Sequence, residues 1–297
     1  MGGKRALALA LAELEARPDA PETAALLDAA HAAPKARTIG LTGPPGVGKS
    51  TLTGALLRAW RGSGRTVGVI AVDPSSRISG GALLGDRTRL RADPGDAGLF
   101  IRSMAARDRL GGLADLTVAA LVLMRAIFDL VLVETVGVGQ SETDVAGAVD
   151  TVVLCIQPGS GDALQFMKAG IVEIPDIVVV TKTDMGEPAD RARADLAAAL
   201  GLRERFAGDW PVEALGVSAL SGEGVEALRA AIDRHASFIA ADLGRLRHAQ
   251  AAHWLVSALK DRWGSEGLKR AGTIELAPGT SPFRALADLA RQLGSGR

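Results

Sequence analysis

The sequence has a single cysteine, no net charge and no long uninterrupted apolar run. Cys155 lies within the apolar run TVVLCI, so the chain cannot form an internal disulfide, and a reducing compartment is expected. Lys and Arg total 34, equal to Asp and Glu, so no charge excess favours nucleic acid or an anionic membrane as a partner. The longest candidate membrane span, LTVAALVLMRAIFDLVLV, is interrupted by Arg125 and Asp129, and a bilayer requires ~20 apolar residues. The sequence predicts a cytoplasmic protein without a nucleic-acid or membrane partner.

Short β-rich runs alternate with helical patterns rich in alanine and leucine. The runs, among them RTIGLTG, TVGVIAVD and DIVVVTK, show little polar alternation. Strands buried on both faces have this character, which predicts an α/β fold with a mostly parallel sheet covered by helices on each side. The predicted boundaries are an N-terminal helical extension over 1–34, an α/β domain over 35–240 and a C-terminal helical extension over 241–297.

The strongest motif follows the first predicted strand, where GPPGVGKS at 43–50 fits G-x-x-x-x-G-K-[ST] and leads into a helical pattern. Backbone amides of such a loop surround phosphate oxygens, the lysine reaches the β- and γ-phosphates, and the hydroxyl ligates magnesium. The strand, loop and helix in this order predict a nucleoside triphosphate site. Its expected binding residues are Gly43, Pro44, Pro45, Gly46, Val47, Gly48, Lys49, Ser50 and Thr51.

Acids that end predicted strands are candidate metal ligands. Glu134 ends DLVLVE, and a second parallel strand ending beside the loop would bring this acid to magnesium or its waters; Gly137 then lets the chain approach the γ-phosphate. Asp73, after TVGVIAV, and Asp86, within GGALLGDRTRL, are also plausible ligands, because magnesium usually takes one or two carboxylates with phosphate and water oxygens. The predicted metal shell is Ser50, Asp73, Asp86 and Glu134, and the predicted catalytic residues are Lys49, Glu134 and Gly137.

Two later segments at strand ends predict the base. They are TKTD at 181–184 and SAL at 218–220. An aspartate in this place can accept two hydrogen bonds from guanine that adenine cannot donate. Each segment alone is weak evidence for guanine, but the two together, following a phosphate loop, favour guanine over adenine. The predicted base contacts are Lys182, Asp184, Ser218, Ala219 and Leu220.

From about Ile39 to Leu220 the chain resembles the MeaB-type GTPase chaperones of adenosylcobalamin-dependent methylmalonyl-CoA mutase, a family also known as ArgK. The resemblance rests on GPPGVGKST, VDPSS, GGALLGDRTR, ETVGVGQSE and PGSGDALQFMKAG. It implies a P-loop NTPase fold, GTP/GDP and magnesium as cofactors, and a Glu134 that acts on the metal through water. Thr181 stands where the family typically has asparagine.

The resemblance also implies a third switch and a partner. In the switch, Asp162, Gln165 and Lys168 would couple the nucleotide state to the mutase, and the adenosyltransferase is a second candidate partner. A homodimer is expected from the family's helical arms and from an apolar stripe beyond the nucleotide domain, although such a stripe can also pack on its own domain. The stripe consists of Leu246, Ala249, Val256, Leu259 and Trp263.

The expected function is a GTP-hydrolysing molecular switch, or metallochaperone, that gates cofactor loading and protects or reactivates a cobalamin-dependent methylmalonyl-CoA mutase. A small-molecule kinase shares the phosphate loop but needs a substrate base and a lid. A nickel-enzyme maturation GTPase needs a thiolate or imidazole cluster, whereas the histidines are scattered at 31, 235, 248 and 253. A nucleotide-bound module with a degenerate site is disfavoured by the intact Lys49 and Ser50.

Overall fold

The computed structural model describes residues 3–74, 95–106, 115–135, 145–159, 175–201 and 209–294, and all structural statements concern those residues. They contain seven strands: β1 Arg37–Thr42, β2 Val67–Pro74, β3 Leu99–Ala106, β4 Leu130–Glu134, β5 Thr151–Ile156, β6 Ile177–Thr181 and β7 Glu213–Val217. The strands form one sheet in the order β3-β2-β4-β1-β5-β6-β7, with every pair parallel. The predicted fold class is confirmed.

Helices cover both faces of this sheet. The described ones are α1 Lys4–Ala16, α2 Pro21–Ala32, α3 Lys49–Gly62, α4 Asp115–Arg125, α5 Glu187–Gly201, α6 Val225–Phe238, α7 Leu243–Ala271 and α8 Pro282–Gly294, with a short 3₁₀ turn at Thr183–Met185. Within the described ranges, no helix has the length and apolar character needed to cross a membrane.

Alternate residues along the strands face two different helical layers, because successive side chains of a strand point to opposite faces. On one face Leu41 and Leu132 pack with Leu52 and Leu56 of α3 and with Leu228 of α6. Helix α3 therefore lies directly against the central strands, and its first turn lies at the carboxyl end of β1.

The N-terminal helices share the core on the other face. Leu7, Leu11 and Leu14 recur at helical spacing along α1 and are nearly fully buried, in one cluster with Leu121 of α4 and Val131 of β4. The predicted extension over 1–34 thus packs against the sheet layer and belongs to its core.

The C-terminal helices form a smaller cluster between themselves. Leu255 and Leu259 of α7 pack with Leu286 and Leu293 of α8. From the stripe predicted for dimerisation, Leu259 is therefore buried within its own chain, and Trp263 packs against the same cluster, whereas Ala249 and Val256 are exposed. Part of the stripe has an intrachain partner, and the homodimer stays a prediction.

The burial of α1 predicts a large difference between two leucines of the same helix. Leu11→Ala should destabilise the protein by about 2–5 kcal/mol, because it leaves a cavity in the core, whereas Leu9→Ala should change stability by less than about 0.5 kcal/mol. Leu11 is 1% exposed and Leu9 is 63% exposed. Urea unfolding of the two variants measures the difference, and equal midpoints would show that α1 does not pack on the sheet.

Candidate nucleotide-binding site

The loop between β1 and α3 is held against β5. Gly43 has a φ of 134°, a conformation that side chains rarely adopt, and a Cβ there would lie 2.2 Å from the carbonyl oxygen of Cys155. Only glycine fits so close to a neighbouring backbone. Burial raises the pKa of the Cys155 thiol to about 12, so this residue acts as a small apolar side chain under the loop.

The ammonium group of Lys49 lies inside the curve of this loop. Its Nζ donates to the carbonyl oxygens of Gly43 at 2.6 Å and Pro44 at 2.9 Å, and the residue is only 8% exposed. A buried cation among backbone groups at a helix N-terminus creates a strongly positive concave surface. That surface suits the phosphates of a nucleotide.

Glu134 joins the end of β4 to the start of α3. It is the parallel register partner of Leu41 in β1, so its side chain lies at the same edge of the sheet as the loop. Its Oε1 accepts a hydrogen bond from the Ser50 hydroxyl at 2.6 Å, and its Oε2 accepts one from the Thr53 hydroxyl at 2.8 Å. The two donors share one helix face because they are three residues apart. The structure therefore places Glu134 beside Ser50 and the loop, as predicted from the strand order. Binding of magnesium by the two residues stays a prediction.

The oxygen atoms of Ser50 and Glu134 fit a magnesium site. Hydroxyl and carboxylate oxygens are hard ligands, and magnesium adds waters and substrate phosphates to one or two protein groups. In the part of the chain that the structure describes, no group of three or more His, Cys, Asp or Glu residues could hold a metal.

Among the other predicted metal and switch residues, the structure describes only the backbone of Asp73. The backbone of Asp73 lies in β2, two residues beyond Ala71, which is the register partner of Glu134. Asp86, Gly137, Asp162, Gln165 and Lys168 lie outside the described residues.

The two segments predicted to bind the base contact each other. Ser218, fully buried at the end of β7, donates its hydroxyl hydrogen to Oδ1 of the exposed Asp184 at 2.6 Å. Leu220, beyond it, is 82% exposed. The contact orients the carboxylate while leaving it accessible, which is the arrangement a guanine reader needs. Binding of the base by these residues stays a prediction.

Lys182 and Thr181 connect β6 to the phosphate loop. The Nζ of Lys182 donates to the carbonyl oxygen of Gly46 at 2.9 Å and to Oε1 of Gln157 at 2.7 Å. The buried hydroxyl of Thr181 donates to the carbonyl oxygen of Val47 at 2.7 Å and lies 3.0 Å from that of Ile156. Thr181 stands where the family typically has asparagine, and here its hydroxyl group binds the backbone of the loop at Val47.

Comparison with known proteins decides the family. The sequence profile of the family described as methylmalonyl Co-A mutase-associated GTPase MeaB matches residues 5–269. The chain belongs to this family. Membership confirms the resemblance found in the sequence, and a GTPase family implies guanine-nucleotide binding. Binding of the phosphates by residues 43–50 stays a prediction.

Relatives agree with this membership. A Pyrococcus horikoshii protein named as a GTPase is 47% identical over 69% of this chain and 65% of its own length. The mouse mitochondrial methylmalonic aciduria type A homolog is 39% identical over 75% of this chain and 55% of its own length. Escherichia coli GTPase ArgK is 38% identical over 73% of this chain and 67% of its own length. The chain thus aligns with less than two thirds of the length of the Pyrococcus and mouse proteins.

Solved structures agree with the fold. The crystal structure of a protein named LAO/AO transport system kinase has a TM-score of 0.66 at 28% identity, over 98% of this chain and 92% of that one. HypB from Helicobacter pylori, in complex with nickel, has a TM-score of 0.51 at 15% identity, over 72% of this chain and 94% of that one. At such low identity the HypB likeness shows the fold alone.

Three residues of this MeaB-family site were not predicted from the sequence. Thr53 lies three residues after Ser50, and this spacing is a signal that could have found it. Gln157 follows β5 directly and contacts Lys182. Thr135, next to Glu134, donates a hydrogen bond to the hydroxyl oxygen of Thr42 at 3.0 Å, and only the register of β1 and β4 brings the two residues together.

The contact between Ser218 and Asp184 predicts a loss of guanine affinity on mutation. Ser218→Ala should weaken GDP binding by at least about tenfold, because a hydrogen bond to a charged group contributes about 1.5–3 kcal/mol. Ser237→Ala, at an exposed serine of α6, is the matched control and should bind GDP as the wild type does. Isothermal titration with GDP measures both, and unchanged binding by Ser218→Ala would show that this contact does not organise the base site.

Proposed function

We propose that this chain is a GTP-hydrolysing switch that gates cofactor loading of an adenosylcobalamin-dependent methylmalonyl-CoA mutase and protects or reactivates that enzyme. The observation that carries the proposal is the match of residues 5–269 to a family described as methylmalonyl Co-A mutase-associated. The similarity to the mouse methylmalonic aciduria type A homolog supports the same partner. The adenosyltransferase is a second candidate partner.

The described residues support binding of the phosphates, the base and magnesium in this proposal. Lys49 would bind the β- and γ-phosphates, and Asp184 would accept hydrogen bonds from guanine. Ser50 and Glu134 would hold magnesium, with Asp73 and Asp86 as further proposed ligands, and the bound ion would neutralise charge that develops on the phosphate oxygens. Glu134 accepts hydrogen bonds from the hydroxyl groups of Ser50 and Thr53 and so orients both side chains.

The proposed coupling depends on two segments that follow strands of the site. Residues 136–144, with Gly137, continue directly from β4 and Glu134, while residues 160–174, with Asp162, Gln165 and Lys168, continue from the end of β5. Chain segments that leave the phosphate site can change conformation with the γ-phosphate. We assign contact with the mutase to the second segment.

Assembly and location complete the proposal. The exposed part of the α7 stripe, with Ala249 and Val256, would be the homodimer surface. The single buried cysteine suits a reducing cytoplasm.

A small-molecule kinase is the second candidate function, because the structural relative at 28% identity carries the name of a transport system kinase. Labelled GTP distinguishes the two functions when the chain is incubated with a cell extract depleted of nucleotides. Release of inorganic phosphate alone supports the switch, and a stable labelled metabolite supports the kinase. The nickel alternative has no such support, since the HypB likeness shows only the fold.

If the chain is coupled to the mutase, a mutation in the coupling segment should reduce mutase-stimulated GTP hydrolysis but not basal GTP hydrolysis. Lys168→Ala should keep basal GTP hydrolysis, because Lys168 is not assigned to the phosphate or magnesium shell, but should lose at least about fivefold of the stimulation by the mutase. Lys260→Ala, at an exposed lysine of α7, is the control and should be stimulated normally. Phosphate release with and without the mutase measures both, and equal stimulation of all variants would contradict the assignment.

A further inference from the structure

A cavity of about 250 Å³ lies between α2, α4, α7 and α8, and neither GTP nor magnesium accounts for it. Its apolar wall includes Leu121, Val122, Trp254, Pro282 and Phe283, and its polar wall includes His31, Arg125, Arg247, Gln250 and His253. Ligand pockets typically span about 300–1,000 Å³, so this cavity, slightly below that range, has room only for a small molecule.

The cavity is remote from the phosphate loop. Arg125 ends α4, and its carbonyl oxygen accepts hydrogen bonds from the backbone N–H groups of Lys35 and Ala36, just before β1 begins. Arg247 binds Asp150, just before β5 begins. The polar end of the cavity therefore lies at the amino ends of these strands, whereas the phosphate loop follows the carboxyl end of β1.

Arg125 is a buried cation that forms no ion pair among the described residues. The residue is 6% exposed, and its Nε has no hydrogen-bond partner there. Burial, and then the charge of Arg247, lowers the pKa of Arg125 to about 10, although the charge of Asp150 opposes this shift, so the group is still protonated at neutral pH. An unpaired buried charge is costly. The cost falls if an anion enters the cavity.

Two further hydrogen-bonding groups on the same cavity lack partners within the described part of the chain. They are the buried ring nitrogens His31 Nδ1 and Trp254 Nε1. Burial, and then the charge of Arg125, lowers the pKa of His31, which favours the neutral imidazole. A ligand with acceptor oxygens could satisfy these groups together with Arg125.

The nearby carboxylates are already engaged elsewhere. Asp150 accepts hydrogen bonds from Arg247 at 2.8 and 2.7 Å and from the backbone N–H of Thr38 at 2.8 Å. Asp28 forms an ion pair with Arg284 at 2.7 Å. Neither aspartate is among the residues that line the cavity. Because Asp150 forms its ion pair with Arg247, the charge of Arg125 is only partly offset by Asp150 from a distance, and the lining keeps an excess of positive charge.

We propose that this cavity binds a small organic monocarboxylate, whose carboxylate pairs with Arg125 and whose apolar part packs against Leu121, Trp254 and Phe283. The planar guanidinium matches a carboxylate through two parallel hydrogen bonds. The excess charge of Arg125 favours a monoanion, and the apolar wall favours an organic group over a bare inorganic ion.

Fluorine NMR of para-fluorobenzoate with the full chain tests the site. The protein is saturated with GDP, so that the probe cannot occupy the phosphate loop. We expect saturable binding with a dissociation constant of about 1 mM or lower. Binding should be at least about tenfold weaker for the neutral para-fluorobenzamide and for Arg125→Met, because each lacks one charge of the pair. Arg245→Met, at an exposed arginine of α7 that does not line the cavity, should bind the probe normally.

Three results would overturn the proposal. These are no saturable binding of para-fluorobenzoate up to about 10 mM, equal binding of the acid and the amide, and undiminished binding by Arg125→Met. Displacement of the probe by inorganic phosphate at equal concentration would contradict the assignment of a carboxylate ligand and would assign the site to phosphate. GDP binding reports whether Arg125→Met folds, and if it does not, the comparison of acid with amide on the wild type decides.

Discussion

The geometry of the candidate nucleotide site depends on the two hydrogen bonds that the carboxylate of Glu134 accepts. Glu134 is 6% exposed, and a carboxylate buried at a strand end would be costly without hydrogen-bond donors. The hydroxyl groups of Ser50 and Thr53 supply them. The same two hydrogen bonds fix the first turn of α3 relative to β4, and they place the side chains that suit magnesium beside the phosphate loop.

Neighbouring strands complete this support. Gly43 allows the loop to lie against the backbone of β5, and Thr181 and Lys182 bind the loop carbonyls from β6. In addition to β1 and α3, which flank it, the loop thus contacts β5 and the end of β6, and these contacts constrain its backbone. Preorganisation of this kind lowers the ordering cost of binding phosphate. Arg125 lies at the other end of the strands, so the sheet separates the two candidate ligand sites.

The predictions from sequence succeeded where the spacing of residues is strict. The pattern GPPGVGKS requires a strand before it and a helix after it, and the apolar runs without polar alternation require a sheet covered on both faces. Glu134 could be placed beside Ser50 because parallel strands end at one edge. These features depend on local order along the chain, which a single sequence displays.

Features that depend on tertiary placement could not be predicted in the same way. The spacing of Leu7, Leu11 and Leu14 predicts an amphipathic helix but not the surface that it covers. Thr181 differs from the asparagine of its family, and only the structure shows that its hydroxyl reaches Val47. Arg125 interrupts an apolar run, which argued against a membrane span, but only the fold shows that it is buried and forms no ion pair among the described residues.

The most direct measurement is the release of inorganic phosphate from GTP by Glu134→Gln, with magnesium present and with magnesium removed by a chelator. A glutamine has no negative charge and one acceptor oxygen fewer, so it should bind the two hydroxyl groups and the ion more weakly than the carboxylate does. Hydrolysis by the wild type should require magnesium, and Glu134→Gln should be slower by at least about tenfold. Glu223→Gln, at an exposed glutamate, should match the wild type. Hydrolysis by Glu134→Gln at the wild-type rate, or wild-type hydrolysis without magnesium, would contradict the central role of this carboxylate.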